Sequence, residues 1–154
     1  MSRTFLWPQG YTSAAMISVN LDAEFYGRIF YPGIDVSEGD IQRLGWTGMQ
    51  YGLPHLLDCF REHGVKGTFF IPGRVAELYP DAVRAIADAG HELGCHGYEH
   101  EILAHFTPEE QLELLKKAKA AIEKAAGRAV TGFRMPEGEI TEQTLVAAKE
   151  AGFA

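Results

Sequence analysis

The sequence has few cysteines, no long apolar run and no excess of basic residues, and each shortage excludes a class of protein. Its two cysteines, Cys59 and Cys95, suit a reducing compartment, and we expect no disulfide bond between them. No apolar run reaches the roughly 18 residues that a membrane-spanning helix needs. Lys and Arg number 14 against 21 acidic residues and are scattered, which disfavours binding to nucleic acid or to an anionic membrane.

The opening residues, MSRTFLWPQGYTSAAM, contain no hydrophobic region typical of a signal peptide, and we therefore expect a cytoplasmic protein. What the sequence does have is apolar material. Hydrophobic residues make up 46% of its 154 positions, which is enough for a packed core and argues against disorder. The length is that of one ordinary domain, so we expect a single domain over residues 1–154.

Segments with the patterns of strands and helices alternate along the chain. Short runs of apolar and β-branched residues predict buried strands, and apolar residues three and four apart, with capping residues at the ends, predict helices. The predicted strands are 15–22, 66–73, 91–97 and 128–134, and the predicted helices are 51–64, 80–90, 107–127 and 141–152. Residues 25–50 are rich in Gly and Tyr without a clear period, which predicts a long loop.

This alternation predicts an α/β fold with a parallel sheet and right-handed crossovers. Four β/α units are about half of a closed barrel, and the sequence stops soon after the fourth predicted helix. We therefore expect a partial (β/α) barrel, apparently truncated at the C-terminus. An open half-barrel has two unpaired parallel edges, so we also expect a homo-oligomer that covers them.

Polar side chains gather at the C-terminal ends of the predicted strands, where parallel α/β folds carry their functional residues. They are Asn20, Asp22 and Glu24 at the end of the first strand, His96 and His100 following the third, and Arg134 at the end of the fourth. One carboxylate and two imidazoles make an open site for zinc or another divalent metal that activates water. The spacing alone leaves open whether HGYEH is a metal-binding pair or a polar loop, and it does not place Asp22 nearby.

Several other residues have both a structural and a functional interpretation. His91 precedes a buried strand and is expected to be structural, and the remaining histidines, His55, His63 and His105, are expected at the surface or at helix ends. Glu99 either supports the two histidines or is exposed. Aromatic residues in or near the long loop either line a ligand groove or cover an interface; they are Tyr26, Tyr31, Trp46 and Tyr51.

Four segments together resemble the polysaccharide deacetylase superfamily, also called NodB-like or carbohydrate esterase 4. They are SVNLDAE (18–24), GVKGTFFIPG (64–73), GHELGCHGYEH (90–100) and GFRMPEG (132–138). Within that superfamily the chain resembles the allantoinase-like and cytoplasmic peptidoglycan-deacetylase-like branch. The resemblance implies a distorted (β/α) barrel that hydrolyses a non-peptide C–N bond, in an N-acetyl sugar or in a small cyclic amide.

The resemblance also implies roles for individual residues. It assigns metal ligation to Asp22, His96 and His100. It gives Arg134, in the RxPxG motif, the role of shaping the site and orienting a carboxylate, and it places 136–138 in the substrate groove.

Two departures from the family pattern bear on activity. The sugar deacetylases have an acidic general base where this chain has Asn20, and a neutral amide cannot take a proton from water at neutral pH. Glu24 is the replacement that the sequence suggests. The family's late histidine motif, which supplies the general acid, is also absent.

These departures leave two alternatives to a metal-dependent hydrolase. One is an inactive or truncated half-barrel that binds metal or ligand without turnover, and the other is a metal-independent amidohydrolase of the allantoinase type. A purely structural domain has little support, because it leaves Asp22, HGYEH and Arg134 unexplained.

Overall fold

The computed structural model describes residues 10–26 and 37–154, and within them four strands alternate with helices. The strands are β1 (Ser18–Asn20), β2 (Thr68–Ile71), β3 (Glu92–Cys95) and β4 (Gly132–Phe133). The helices are α1 (Glu38–Thr47), α2 (Leu53–Glu62), α3 (Gly73–Leu78), α4 (Pro80–Asp88), α5 (Pro108–Ala126) and α6 (Glu142–Glu150). Three short 3₁₀ turns, at Ala23–Phe25, Leu103–His105 and Pro136–Gly138, follow β1, β3 and β4.

The strands form one parallel sheet in the order β1-β2-β3-β4. A doubly wound sheet reverses its strand order at a switch point, whereas a barrel adds strands in sequence order. The observed order is therefore that of a barrel segment, and the predicted α/β partial barrel is confirmed. It also brings the carboxyl ends of all four strands to one edge of the sheet, where the motif residues lie.

The face of the sheet that packs against the helices is apolar. Side chains two residues apart on a strand share a face. Phe69 and Ile71 of β2 and Leu93 and Cys95 of β3 are buried on the face toward the helices. Residues of α5 complete this core, since the helix presents an apolar stripe at helical spacing. Fully buried members of the sheet and of α5 include Phe69, Ile71, Cys95, Leu115, Ala118 and Ile122.

The opposite face of the sheet combines polar groups with one large ring. Thr68 donates a 2.5 Å hydrogen bond to the Glu92 carboxylate across β2 and β3. The Phe70 ring lies so close over Gly94 that an added Cβ there would be 2.6 Å from it. A Cβ at position 94 would therefore displace the Phe70 ring, which lies beneath the end of β4.

The predicted long loop at 25–50 is wrong over its second half. Residues 38–47 form α1, which continues through a wide turn at Gly48–Gly52 into α2. The Ser37 hydroxyl caps α1 by accepting a hydrogen bond from the Asp40 amide at 3.1 Å. Residues 27–36, with Tyr31, lie outside the described residues.

Pro72 and Gly73 end the predicted second strand in the sequence, but they begin a helix in the structure. Pro72 is extended and the chain then enters α3. A Cβ at Gly73 would lie 2.5 Å from the Ala118 Cα atom of α5, so the glycine permits a close helix–helix contact. The capping box predicted for α5 is confirmed, with Thr107 and Glu110 bonding each other's backbone amides.

Among the described residues, no helix is both long enough and apolar enough to cross a bilayer. Both cysteines are free, with Cys59 exposed and Cys95 buried. His91 is buried between the Phe60 and Phe69 rings and accepts a hydrogen bond from the Gly67 amide at 3.2 Å, as expected of a structural histidine.

Candidate metal centre

Asp22 reaches the site because β1 ends two residues earlier. The amide of Leu21 donates to the Phe70 carbonyl at 2.9 Å, and the chain then turns at Ala23, whose φ is 47°. The turn ends the alternation of the strand and buries the Asp22 side chain, which is 8% exposed. A carboxylate is thus held below the surface at the carboxyl edge of the sheet.

His96 follows β3 and is oriented by the chain after β4. Its amide donates to the Ile71 carbonyl at 3.0 Å, and its Nδ1 lies 2.8 Å from the Arg134 carbonyl oxygen. A carbonyl can only accept, so Nδ1 carries the hydrogen and Nε2 keeps its lone pair. That Nε2 faces Asp22 Oδ1 at 3.8 Å, and it is therefore ready to bind a cation.

His100 is brought back toward His96 by two left-handed residues in the HGYEH loop. Gly97 has φ 75° and His100 itself has φ 61°, a conformation that is uncommon outside glycine. The two imidazole rings lie with centroids 4.8 Å apart, and His100 Nε2 is 3.9 Å from Asp22 Oδ2. The pentapeptide is therefore a tight loop that aims both imidazoles at Asp22.

Two supports hold this loop in place. The Glu101 carboxylate accepts from the amides of Tyr98 and Glu99, at 2.8 and 2.5 Å. The first amides of α3, from Gly73 and Arg74, donate to the carbonyls of Gly97 and Tyr98 at 3.0 and 2.8 Å. Helix N-termini have unpaired N–H groups, and here they are used to fix the histidine loop.

Each of the three side chains has a polar atom without a hydrogen-bond partner within the described residues, as is typical of metal ligands. Oδ1 of Asp22, Nε2 of His96 and Nδ1 of His100 are buried and make no hydrogen bond within the described residues. Each residue offers one ligand atom, and the three atoms lie within 4.8 Å of one another. Buried polar atoms are normally paired, and atoms 3.8 Å apart can both lie about 2.1 Å from one ion. Asp22, His96 and His100 therefore fit a divalent metal.

Protonation equilibria favour the same interpretation. Burial, together with the nearby charges of His100 and Arg134, lowers the pKa of His96 to about 4, so the ring is neutral at physiological pH. Burial raises the pKa of Asp22; His100 opposes the rise and the Glu137 carboxylate adds to it. A bound cation would offset both the desolvation and the repulsion of the Asp22 carboxylate.

Arg134 crosses the sheet and holds Asn20. Its Nη1 donates to Asn20 Oδ1 at 2.8 Å and its Nη2 donates to the Ser18 hydroxyl at 2.9 Å. The guanidinium stacks 4.0 Å above the centre of the Phe70 ring. The predicted site-shaping role agrees with this geometry, but the group that Arg134 orients is an amide and not a carboxylate.

The group of Asp22, His96 and His100 opens into a cavity of about 370 Å³. Its lining combines the predicted ligands with Asn20, Arg134 and the loop after β4, and it includes Tyr26, one of the aromatics expected in a groove. Trp46 and Tyr51 do not line it; they are exposed and pack edge to face with centroids 6.0 Å apart. Glu137 also lines the cavity, with Oε1 3.8 Å from His100 Nε2.

The structure does not bring Glu24 into the cavity. The strand period that would have placed it beside Asn20 ends before Asp22, and its carboxylate accepts from the Tyr79 hydroxyl at 3.2 Å. Glu99 is exposed, as the second of its two interpretations expects. The sequence interpretation gave no role to Glu101 and no separate role to Glu137. The available signal is an acidic residue within each motif segment, at the end of HGYEHE and before the glycine of RMPEG.

Comparison with known proteins agrees with this site. The family model for polysaccharide deacetylase matches residues 45–154, and the chain therefore belongs to the polysaccharide deacetylase family. A peptidoglycan-N-acetylglucosamine deacetylase of Bacillus cereus is 39% identical over 65% of this chain and 36% of its own length.

Two solved structures share the fold. A Mycobacterium smegmatis protein assigned to the polysaccharide deacetylases matches 97% of this chain and 52% of its own, with 32% identity and a TM-score of 0.82. A Bacillus anthracis protein described as a pseudoenzyme of carbohydrate esterase family 4 matches 66% of this chain and 36% of its own, with 30% identity and a TM-score of 0.63. A mutant of that pseudoenzyme has restored enzymatic activity. The chain thus spans between about a third and a half of the length of these relatives.

Proposed function

We propose that this protein is a metal-dependent hydrolase that removes the acetyl group from an N-acetyl sugar. The observation that carries the proposal is the buried group of Asp22, His96 and His100, in which Asp22 Oδ1, His96 Nε2 and His100 Nδ1 have no hydrogen-bond partner within the described residues. Family membership supports hydrolysis of a C–N bond that is not a peptide bond. Two imidazoles and one carboxylate favour zinc among the divalent ions.

The three ligands hold the ion, and the other cavity residues bind and orient the substrate. When bound, the ion supplies polarisation of a carbonyl oxygen and eases deprotonation of water. Because Asn20 Oδ1 accepts from Arg134, its NH₂ group is the part left to donate to a substrate oxygen. The Arg134 carbonyl keeps His96 in the tautomer that binds metal.

The substrate class is inferred from the cavity and from the relatives. A cavity of about 370 Å³ that is open on one side suits a sugar ring with its acetamido group better than a large apolar ligand. The Bacillus cereus relative is named for N-acetylglucosamine in peptidoglycan. We therefore propose N-acetylglucosamine units as the substrate.

Acetate release tests this proposal. Zinc-loaded protein is incubated with N-acetylglucosamine oligomers, and acetate is quantified for wild type, for Asp22→Asn and for the control Glu139→Gln, whose exposed side chain lies outside the cavity lining. We expect release by wild type and the control, and a loss of at least about 100-fold in Asp22→Asn, because one ligand is gone. Release of ammonia from a small cyclic amide, with no acetate released, would contradict the proposed substrate.

Asn20 itself favours a second candidate, which is binding of metal and sugar without turnover. No carboxylate occupies that position, and the Bacillus anthracis neighbour is described as a pseudoenzyme. Under this alternative, wild-type protein binds one zinc ion per chain and an N-acetylglucosamine oligomer, and releases no acetate.

A further inference from the structure

We infer that Glu137 is the catalytic carboxylate of this site, taking the proton from the attacking water. The inference rests on the proposed function and adds to it the proton acceptor that Asn20 cannot be. The general base would then come from the loop after β4 instead of from the position of Asn20 on the first strand.

Position is the first observation in favour. Glu137 Oε1 lies 3.8 Å from His100 Nε2, and its side chain lines the same cavity as the three ligands. Its carboxylate is nevertheless outside the group whose ligand atoms all lie within 4.8 Å of one another. A carboxylate beside the ligands, but not among them, is placed to reach a water in the cavity rather than the ion.

The backbone at Glu137 is the second observation. Its φ is 57° and its ψ is 0°, a left-handed conformation that is strained for a residue with a Cβ. Neighbouring contacts hold this conformation in place. Pro136 is buried against Gly97, and the Arg134 carbonyl accepts a hydrogen bond from His96 Nδ1. Strain that the surrounding structure maintains is concentrated at functional sites. Here it directs an acidic side chain into the cavity.

Elimination among the nearby carboxylates is the third observation. Glu24 bonds to the Tyr79 hydroxyl outside the cavity, and Glu101 is occupied by the amides of its own loop. Asp22 belongs to the ligand group. Among the described residues that line the cavity, Glu137 is the remaining carboxylate, and its side chain is 20% exposed and thus in reach of solvent water.

The proposed step is balanced within the amide and one water. The water oxygen bonds to the acetyl carbonyl carbon while its proton passes to the Glu137 carboxylate. The C–N bond then breaks, and the nitrogen leaves with the proton that Glu137 returns. Acetic acid, which ionises to acetate, and the free amine are the products, and Glu137 is regenerated.

The test separates proton transfer from metal binding. Acetate release from N-acetylglucosamine oligomers and the zinc dissociation constant, from competition with a chromophoric chelator, are measured for wild type, Glu137→Gln, Glu139→Gln and Asp22→Asn. We expect Glu137→Gln to lower kcat at least about 100-fold, with KM and the zinc dissociation constant within about threefold of wild type. Glu139→Gln should match wild type, and Asp22→Asn should weaken zinc binding at least about tenfold.

A second variant, Glu137→Ala, tests whether a loss of activity in Glu137→Gln comes from the missing carboxylate or from the introduced glutamine. Glu137→Ala should regain activity when formate is added, because a free carboxylate can enter the space that the side chain leaves. If Glu137→Gln weakens zinc as much as Asp22→Asn does, Glu137 is a ligand and the inference is overturned. If it retains full activity, the inference alone fails, and if wild type releases no acetate, the proposed function fails together with it.

Discussion

At the scale of single residues, burial lowers the pKa of both His91 and His96, but the two imidazoles have different surroundings. His96 is neutral and aimed at a carboxylate, which prepares it to bind a cation. His91 is enclosed by two phenyl rings and is not one of the candidate ligands, so we expect its protonation to affect stability.

His91 should make the fold sensitive to acid. Burial, and then the nearby charge of Lys66, lowers its pKa below the value of about 6.5 in an unfolded chain. The folded state then binds fewer protons, so this contribution is present above about pH 6.5 and is lost as the pH falls from there toward the folded pKa. We expect the free energy of urea unfolding to fall between pH 7 and pH 5 more steeply in wild type than in His91→Gln, by at most about 1.4 kcal/mol per pH unit.

The control for this measurement is His105→Gln, since His105 is exposed. It should keep the wild-type slope. If His91→Gln and His105→Gln show the same dependence on pH, the buried imidazole is not responsible.

Single residues also mark the limit of prediction from sequence. Asp22, His96, His100 and Arg134 could be named because they follow predicted strands and match family motifs. Glu24 could not be placed correctly, because the turn at Ala23 breaks the strand period before it. That turn has no local sequence signal as clear as a proline or glycine.

At the scale of elements, the contact of α3 with α5 determines where the HGYEH loop lies. Gly73 allows α3 to approach α5, and the first amides of α3 then hold the loop carbonyls. We expect Gly73→Ala to destabilise the protein by about 1–3 kcal/mol and to weaken zinc binding about tenfold, since the added Cβ would be 2.5 Å from Ala118 Cα.

Gly52→Ala is the matched control, because a Cβ at Gly52 has no atom within 4 Å. It should leave zinc binding unchanged. Unfolding and zinc titrations that do not distinguish the two variants would show that α3 does not position the loop.

Elements whose hydrophobic or capping pattern is local were predicted well, as α5 shows with its capping box and apolar stripe. Helices α1 and α3 were missed. Within α1 the buried residue is Gly45, so the sequence of this helix has almost no apolar periodicity from which a helix could be predicted. The start of α3 depends on the close approach of α5, a contact between distant parts of the chain that no local pattern predicts.

At the scale of the whole molecule, the parallel sheet brings segments that are distant in the sequence together at one site, because its strands follow the chain order. Asp22 comes from the end of β1, the two histidines from the loop after β3, and Arg134 and Glu137 from the chain after β4. In the described sheet, β1 and β4 each pair with one strand, and the expected homo-oligomer stays a prediction.

The most direct test of the account is the metal content of the purified protein. Elemental analysis is made on wild type, His100→Ala and the control His105→Ala, each purified without chelating resin and then supplied with zinc and desalted. The account predicts one divalent ion per chain in wild type and in His105→Ala, and none in His100→Ala, which loses one of three ligands. Equal metal content in wild type and His100→Ala, whether zero or one, would contradict a metal centre at Asp22, His96 and His100.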